Sequence, residues 1–177
     1  MLTSIKKVLD KILEFFVITA VGVLVIDVLW QVFTRFILKD PSSWTEELAI
    51  FLLIWVSLLG AAVALNRGSH LGIDYFVGKL DVRKRIYTEA AVFVCISLFS
   101  IFVMVIGGLD LVTSTLELQQ QSPALGLKMG YVYVAVPLSG FFLVLYSVIG
   151  LIERIKELVK NKIDPSLHIT EQAVQID

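Results

Sequence analysis

The chain has 177 residues, 57% of them hydrophobic, and a mean hydropathy of +0.85. A soluble domain of this size has no core large enough to hide so much apolar surface, so the solvent is mostly lipid. The net charge of −1 points to no acidic or basic partner, because in membrane proteins the placement of charge matters more than its sum. The single cysteine, Cys95, excludes an intrachain disulfide and leaves the redox compartment undetermined.

About 20 apolar residues, at roughly 1.5 Å rise each, cross a ~30 Å hydrocarbon layer. Four uncharged or nearly uncharged runs meet that length: Phe15 to Thr34, Leu48 to Asn66, Ala90 to Leu109 and Met129 to Ile152. The predicted fold is an all-α membrane protein with spans at 12–36, 45–66, 86–112 and 129–152, inside a four-helix domain at 1–160 followed by a flexible cytoplasmic tail at 161–177. Twelve of the fifteen Lys and Arg residues lie before the first span, between the second and third, or after the fourth; only Arg35, Lys39 and Lys128 lie on the other side. The positive-inside rule then places both termini in the cytoplasm.

The first span follows a cationic turn, Lys6-Lys7-Val8-Leu9-Asp10-Lys11. A signal peptide is the competing reading of this start, but apolar residues continue to Leu38, beyond a plausible cleavage point. Asp27, Gln31, Thr34 and Arg35 fall on one helix face by their spacing. An ionisable group at this depth costs about 2.5–3.5 kcal/mol on insertion scales, so the face is expected to look at protein rather than lipid. It is either a proton or ion site built on Asp27, or a buried polar seam from which Arg35 snorkels outward or pairs with Asp27. Glu14 superficially resembles the proton-carrying carboxylate of small four-helix multidrug antiporters, yet it sits at the cytoplasmic edge beside Lys11, within reach of headgroup water.

The short turn Lys39-Asp40-Pro41-Ser42-Ser43 makes spans one and two antiparallel neighbours. Ser43 or Thr45 is expected to cap a helix whose first turn holds Glu46 and Glu47 at the positive end of the helix dipole. The two carboxylates face different sides, leaving at least one for Arg35 or an external partner. Trp44 is placed at the interface, whereas Trp55 is deep and reads as a packing anchor. Gly60, Ala64 and Gly68 recur every four residues and form a smooth stripe for another helix. Ile73, Phe76, Val77 and Leu80 then follow helical spacing, predicting a short interfacial cytoplasmic helix, with Asp81 capping span three. His70 has no second histidine nearby, since His168 lies in the tail, so neither a metal nor a haem site is expected.

In the third span the helix is expected to continue past Asp110 through Thr113, Ser114 and Glu117, and a polar loop with Pro123 and Gly126 follows. Pro137 predicts a kink or a close contact in span four, with Tyr131 and Tyr133 at its outer boundary.

Arg35-Phe36, Trp44-Thr45-Glu46-Glu47, Trp55, Gly60, Ala64 and Gly68-Ser69-His70-Leu71-Gly72-Ile73-Asp74 together resemble the small membrane (Q) subunit, DctQ/SiaQ-like, of tripartite ATP-independent periplasmic (TRAP) transporters. The similarity covers roughly residues 5 to 155, and its specific part is the block from Trp44 to Asp74. It implies a scaffold without a transport site of its own, in a bacterial inner membrane. The implied partners are a large subunit (M subunit) that carries substrate and sodium by an elevator motion, and a soluble periplasmic substrate-binding protein. The partner-contact candidates are therefore Asp27, Gln31, Arg35, Trp44, Glu46, Glu47, Trp55, Gly60, Ala64, Gly68, His70 and Asp74.

No phosphate loop, zinc-binding HExxH or nucleophile elbow is present in the sequence, so the chain reads as neither an ATP-driven pump nor an enzyme, and no cofactor is expected. Nor is there an inverted pair of broken hydrophobic segments of the kind that marks a midplane substrate site. The expected function is support of a sodium-coupled importer of organic acids, of the C4-dicarboxylate or sialic acid type. The alternative is a self-sufficient proton-coupled antiporter using Glu14 or Asp27; a haem-bearing electron-transfer bundle lacks ligands.

Overall fold

The computed structural model describes residues 2–40, 42–67 and 82–163. Among them the regular structure is helical, and four rods are long and apolar enough to cross a membrane. The first is α1 (Leu2–Phe33), which continues into a π-helical turn at Thr34–Leu38. The second is α2 (Ser43–Asn66). The third joins α3 (Val82–Phe99), a π-helical stretch at Ser100–Gly107, and α4 (Gly108–Glu117). The fourth joins the short α5 (Met129–Tyr133) to α6 (Ala135–Ile163).

The rods run beyond the uncharged stretches, with candidate membrane segments at Val8–Leu38, Ile86–Glu117 and Met129–Lys156, and the third continues to Glu117 as expected. Hydropathy locates the part of a helix that needs lipid, whereas backbone hydrogen bonding carries the helix on until something stops it. At the first hairpin the stop is Lys39, whose φ of 56° is left-handed and whose backbone N–H bonds back to the Thr34 carbonyl.

The start of α2 differs from expectation. Its N-cap residue is Ser42, in extended conformation, with no side-chain capping bond. Thr45 instead donates its hydroxyl to the Ser42 carbonyl at 2.8 Å. A short threonine one turn inside the helix reaches that carbonyl more readily than it reaches a free N–H.

Packing on α1 runs along one narrow seam. Leu13, Ala20, Asp27 and Thr34 are buried, seven residues apart, and the half-buried Val17, Leu24 and Gln31 lie between them. From Phe15 to Leu38 every other residue is exposed. Alternating steps of four and three residues are the seam of a two-helix coil, and the partner is α2. α2 in turn packs on α6, and α6 on α3 with its π-helical continuation. The spans therefore stand in the order first, second, fourth, third. Between 11% and 28% of each span's most apolar stretch is buried within the chain, so most of the surface faces outward.

The third and fourth spans approach most closely through glycine. A Cβ at Gly140 would lie 2.7 Å from Met104 Cβ, one at Gly150 2.6 Å from the Phe93 ring, and one at Gly108 3.0 Å from Pro137. Pro137 thus marks a close contact. The helical break falls just before it, at Val134, where proline's missing N–H and ring disturb the preceding turn. Within the π-helical stretch the buried residues Ser100 and Met104, and then Gly108, recur every four residues. The wider π turn lets that spacing keep one face on the fourth span.

Candidate partner interface

At the end of the molecule that carries the two hairpin turns, the elements converge on Glu47, in the early turns of α2. Its carboxylate accepts the Ser122 hydroxyl at 2.6 Å and the backbone N–H groups of Ala124 and Leu125 at 3.0 Å each. The segment it holds is tied to itself: the Ser122 N–H donates to Leu127 O at 2.8 Å, Gly126 N–H to Ser122 O at 3.0 Å, and Met129 N–H to Gln120 O at 2.9 Å. Glu47 is therefore a latch between the second span and the loop joining the third to the fourth. Two backbone N–H groups and a hydroxyl converging on one carboxylate form an anion nest. Its neighbour Glu46 is exposed, as is Trp44.

The predicted polar face of α1 divides. Asp27 and Thr34 lie buried in the seam against α2, Gln31 is half-buried there, and Arg35 is exposed. Thr34 donates its hydroxyl to the Gln31 carbonyl at 3.0 Å. Asp27 does not pair with Arg35: its Oδ2 is enclosed without a hydrogen-bond partner.

At the opposite end, which carries the N-terminus, charged side chains link all four spans. The Tyr146 hydroxyl donates to Asp10 Oδ1 at 2.7 Å. Arg67 meets Glu14 at 2.9 Å, and Arg154 meets Glu89 at 2.7 Å. Glu14, expected at the cytoplasmic edge, is the ion-pair partner of Arg67, the last described residue of the first hairpin. Sequence reasoning missed Tyr146, Glu89 and Ser122. Each lies 50 or more residues from its partner, or opposite it on another rod, and no local spacing records such a pairing.

Trp55 is half-buried, with its ring 5.8 Å from that of Phe16, and it packs against the cluster of Leu13, Leu59, Ala62, Leu65 and Tyr146. Gly60 has a different character from the glycines of the fourth span. A Cβ there would meet no atom within 4 Å. Ala64 is half-buried on the same stripe, so at Gly60 the stripe opens on space that no described helix fills. Gly68, His70, Asp74, the interfacial helix and the Asp81 cap fall outside the described residues.

Residues 24–157 match the sequence model of the DctQ component of tripartite ATP-independent periplasmic transporters. The chain is 28% identical over 159 residues to the sialic acid TRAP transporter small permease protein SiaQ of Vibrio cholerae, covering 90% of this chain and 88% of that protein. It is 33% identical over 95 residues to the C4-dicarboxylate TRAP transporter small permease protein DctQ of Rhodobacter capsulatus, covering 54% of this chain and 41% of that protein. It is also 35% identical over 98 residues to the isethionate TRAP transporter permease protein DctMQ of Oleidesulfovibrio alaskensis, covering 55% of this chain and 15% of that protein.

Proposed function

The chain belongs to the DctQ family of tripartite ATP-independent periplasmic transporters, and from that premise we propose that it is the non-catalytic scaffold subunit of a sodium-coupled, binding-protein-dependent importer of organic acids. Its place is the bacterial inner membrane, with both termini in the cytoplasm, as the charge distribution favours. A large elevator-type subunit is its membrane partner, and a soluble periplasmic protein delivers substrate to the complex. Cargo of the sialic acid or C4-dicarboxylate class follows from the names of the relatives. The match of this chain to 15% of the much longer DctMQ protein supports work beside a large permease.

The observation that carries the scaffold reading is the row of spans. Helices set first, second, fourth, third, with at most 28% of a span's apolar stretch buried within the chain, give a broad wall to lay against a larger membrane protein. On this reading the partner contacts are drawn from Asp27, Gln31 and Arg35 on the first span and from Trp44, Glu46, Glu47, Trp55, Gly60 and Ala64 on the second. Gly68, His70 and Asp74 extend that set beyond the second span.

The test is co-expression with a large TRAP permease subunit from the same genome, followed by affinity purification through this chain and sodium-driven uptake in liposomes. The two subunits should co-purify, and uptake should need both together with the binding protein. Uptake by this chain alone, as a homodimer, would sink the scaffold reading.

A further inference from the structure

Asp27 lies within the first span, Val8–Leu38, past its midpoint toward the Leu38 end, and is 6% exposed. Its Oδ2 is enclosed and accepts no hydrogen bond. One turn on, Gln31 is half-buried, and its amide makes no hydrogen bond among the described residues. Thr34, on the same seam, is satisfied by the Gln31 carbonyl, and the nearest cation along the helix, Arg35, is exposed and unpaired with Asp27. Two adjacent polar side chains at membrane depth thus lack the partners that hydrocarbon makes obligatory.

Their position shows where partners come from. The first span stands at the end of the row and packs on α2 through a seam one residue wide, and among the described residues the flanks of that seam from Phe15 to Leu38 are exposed, which leaves the groove beside it uncovered there. Gln31, half in and half out, marks its opening at the level of Asp27. An acceptor oxygen beside a primary amide complements an N–H donor, and arginine or lysine is the strongest such donor to a carboxylate.

We propose that Asp27 and Gln31 form a polar socket for an N–H-donating side chain, carried on a membrane helix of the large transporter subunit that lies in the groove between the first and second spans. The proposal rests on the scaffold reading above. In the complex, the Asp27 carboxylate turns from the seam, where Oδ2 is enclosed in the isolated chain, toward the incoming donor. The isolated chain then holds an unmatched acceptor at a cost to its own stability, and the complex supplies the missing bond.

The experiment compares wild type with Asp27→Leu, Asp27→Asn and Gln31→Leu. Each is measured for thermal unfolding of the isolated subunit in detergent and for recovery of the co-expressed large subunit. Asp27→Leu should melt at or above wild type while recovering at least tenfold less partner. Asp27→Asn, which keeps a carbonyl acceptor, should fall between the two, and Gln31→Leu should lose partner more mildly without losing stability. Undiminished recovery with Asp27→Leu overturns the socket, because an internal water or nothing at all then serves the carboxylate. A lowered melting temperature for Asp27→Leu overturns it too, by showing that the acid is paired inside its own chain. Failure of wild type to retain the large subunit is a different result: it removes the scaffold reading and the socket with it.

Discussion

Two glycines of similar helical setting separate the packing of this chain from the packing of its complex. Gly140 sits inside α6 and Gly60 inside α2, so replacement by alanine gains the same helix propensity at each, about 1 kcal/mol. The difference between the two variants is then steric. At Gly140 the new methyl would lie 2.7 Å from Met104 Cβ and 3.2 Å from the Met104 carbonyl carbon. Neither atom belongs to the movable end of a side chain, so relief requires the third and fourth spans to shift apart. Overpacking of that kind costs about 1–3 kcal/mol. At Gly60 the methyl enters empty space and costs nothing. For a chain of this size each kcal/mol moves the midpoint by roughly 2–4 °C, so Gly140→Ala should melt about 2–12 °C below Gly60→Ala. Thermal unfolding of the purified subunit, followed by tryptophan fluorescence in detergent, measures it. Equal midpoints for the two variants would refute the close approach of the third and fourth spans.

Three further outcomes follow from individual contacts. Tyr146→Phe removes the hydroxyl held by Asp10 and should cost about 1–3 kcal/mol as a bond to a charged acceptor, read as a lower midpoint of the isolated subunit. Glu47→Gln and Glu47→Ala should expose the Ala124 and Leu125 amides that the carboxylate holds, seen as faster hydrogen exchange there with exchange in α3 unchanged; Asp at this position is expected to fall short of the loop and behave like Ala. Gln119, at a φ of +48°, should tolerate glycine without loss and gain up to about 1 kcal/mol, since left-handed backbone burdens any residue with a Cβ; a lower midpoint for Gln119→Gly would argue against that conformation.

The four rods were legible because lipid makes secondary structure a local requirement. A segment in hydrocarbon has to satisfy its own backbone, so an uncharged run of span length predicts a helix without reference to anything distant. The polar face of the first span was legible for a related reason. The steps of four and three that align Asp27, Gln31 and Thr34 are the same steps that place Leu13, Val17, Ala20 and Leu24 on one seam. Arg35 departs from that face because it follows Thr34 directly in the chain, about 100° further around the helix. What stayed hidden was pairing between rods. Glu47 reads as a dipole-favoured acid at a helix start, and only the return of a loop 75 residues later turns it into a latch for Ser122. The glycine stripe misled for the same reason. Gly60, Ala64 and Gly68 share a spacing that suggests close approach, whereas the fourth-span glycines that meet another helix, Gly130, Gly140 and Gly150, stand ten apart.

That contrast bears on what the wall of helices is for. The glycines of the fourth span, together with Gly108 of the third, are filled by side chains of this chain, and so hold the third and fourth spans rigidly together. On the first and second spans the corresponding features are left open: Gly60 faces empty space, Asp27 lacks a donor, and Arg35 and Glu46 are exposed. A chain selected only for its own stability would tend to remove such features, since an apolar residue in the place of an unmatched buried acid is commonly stabilising. The third span shares part of this character, since Ser100 Oγ is enclosed there without a hydrogen-bond partner and that span is the least buried within the chain. On the scaffold reading, substitutions at Asp27 and Gly60 should weaken recovery of the large subunit without lowering the melting temperature of the isolated chain; loss of both together would mark these positions as internal packing.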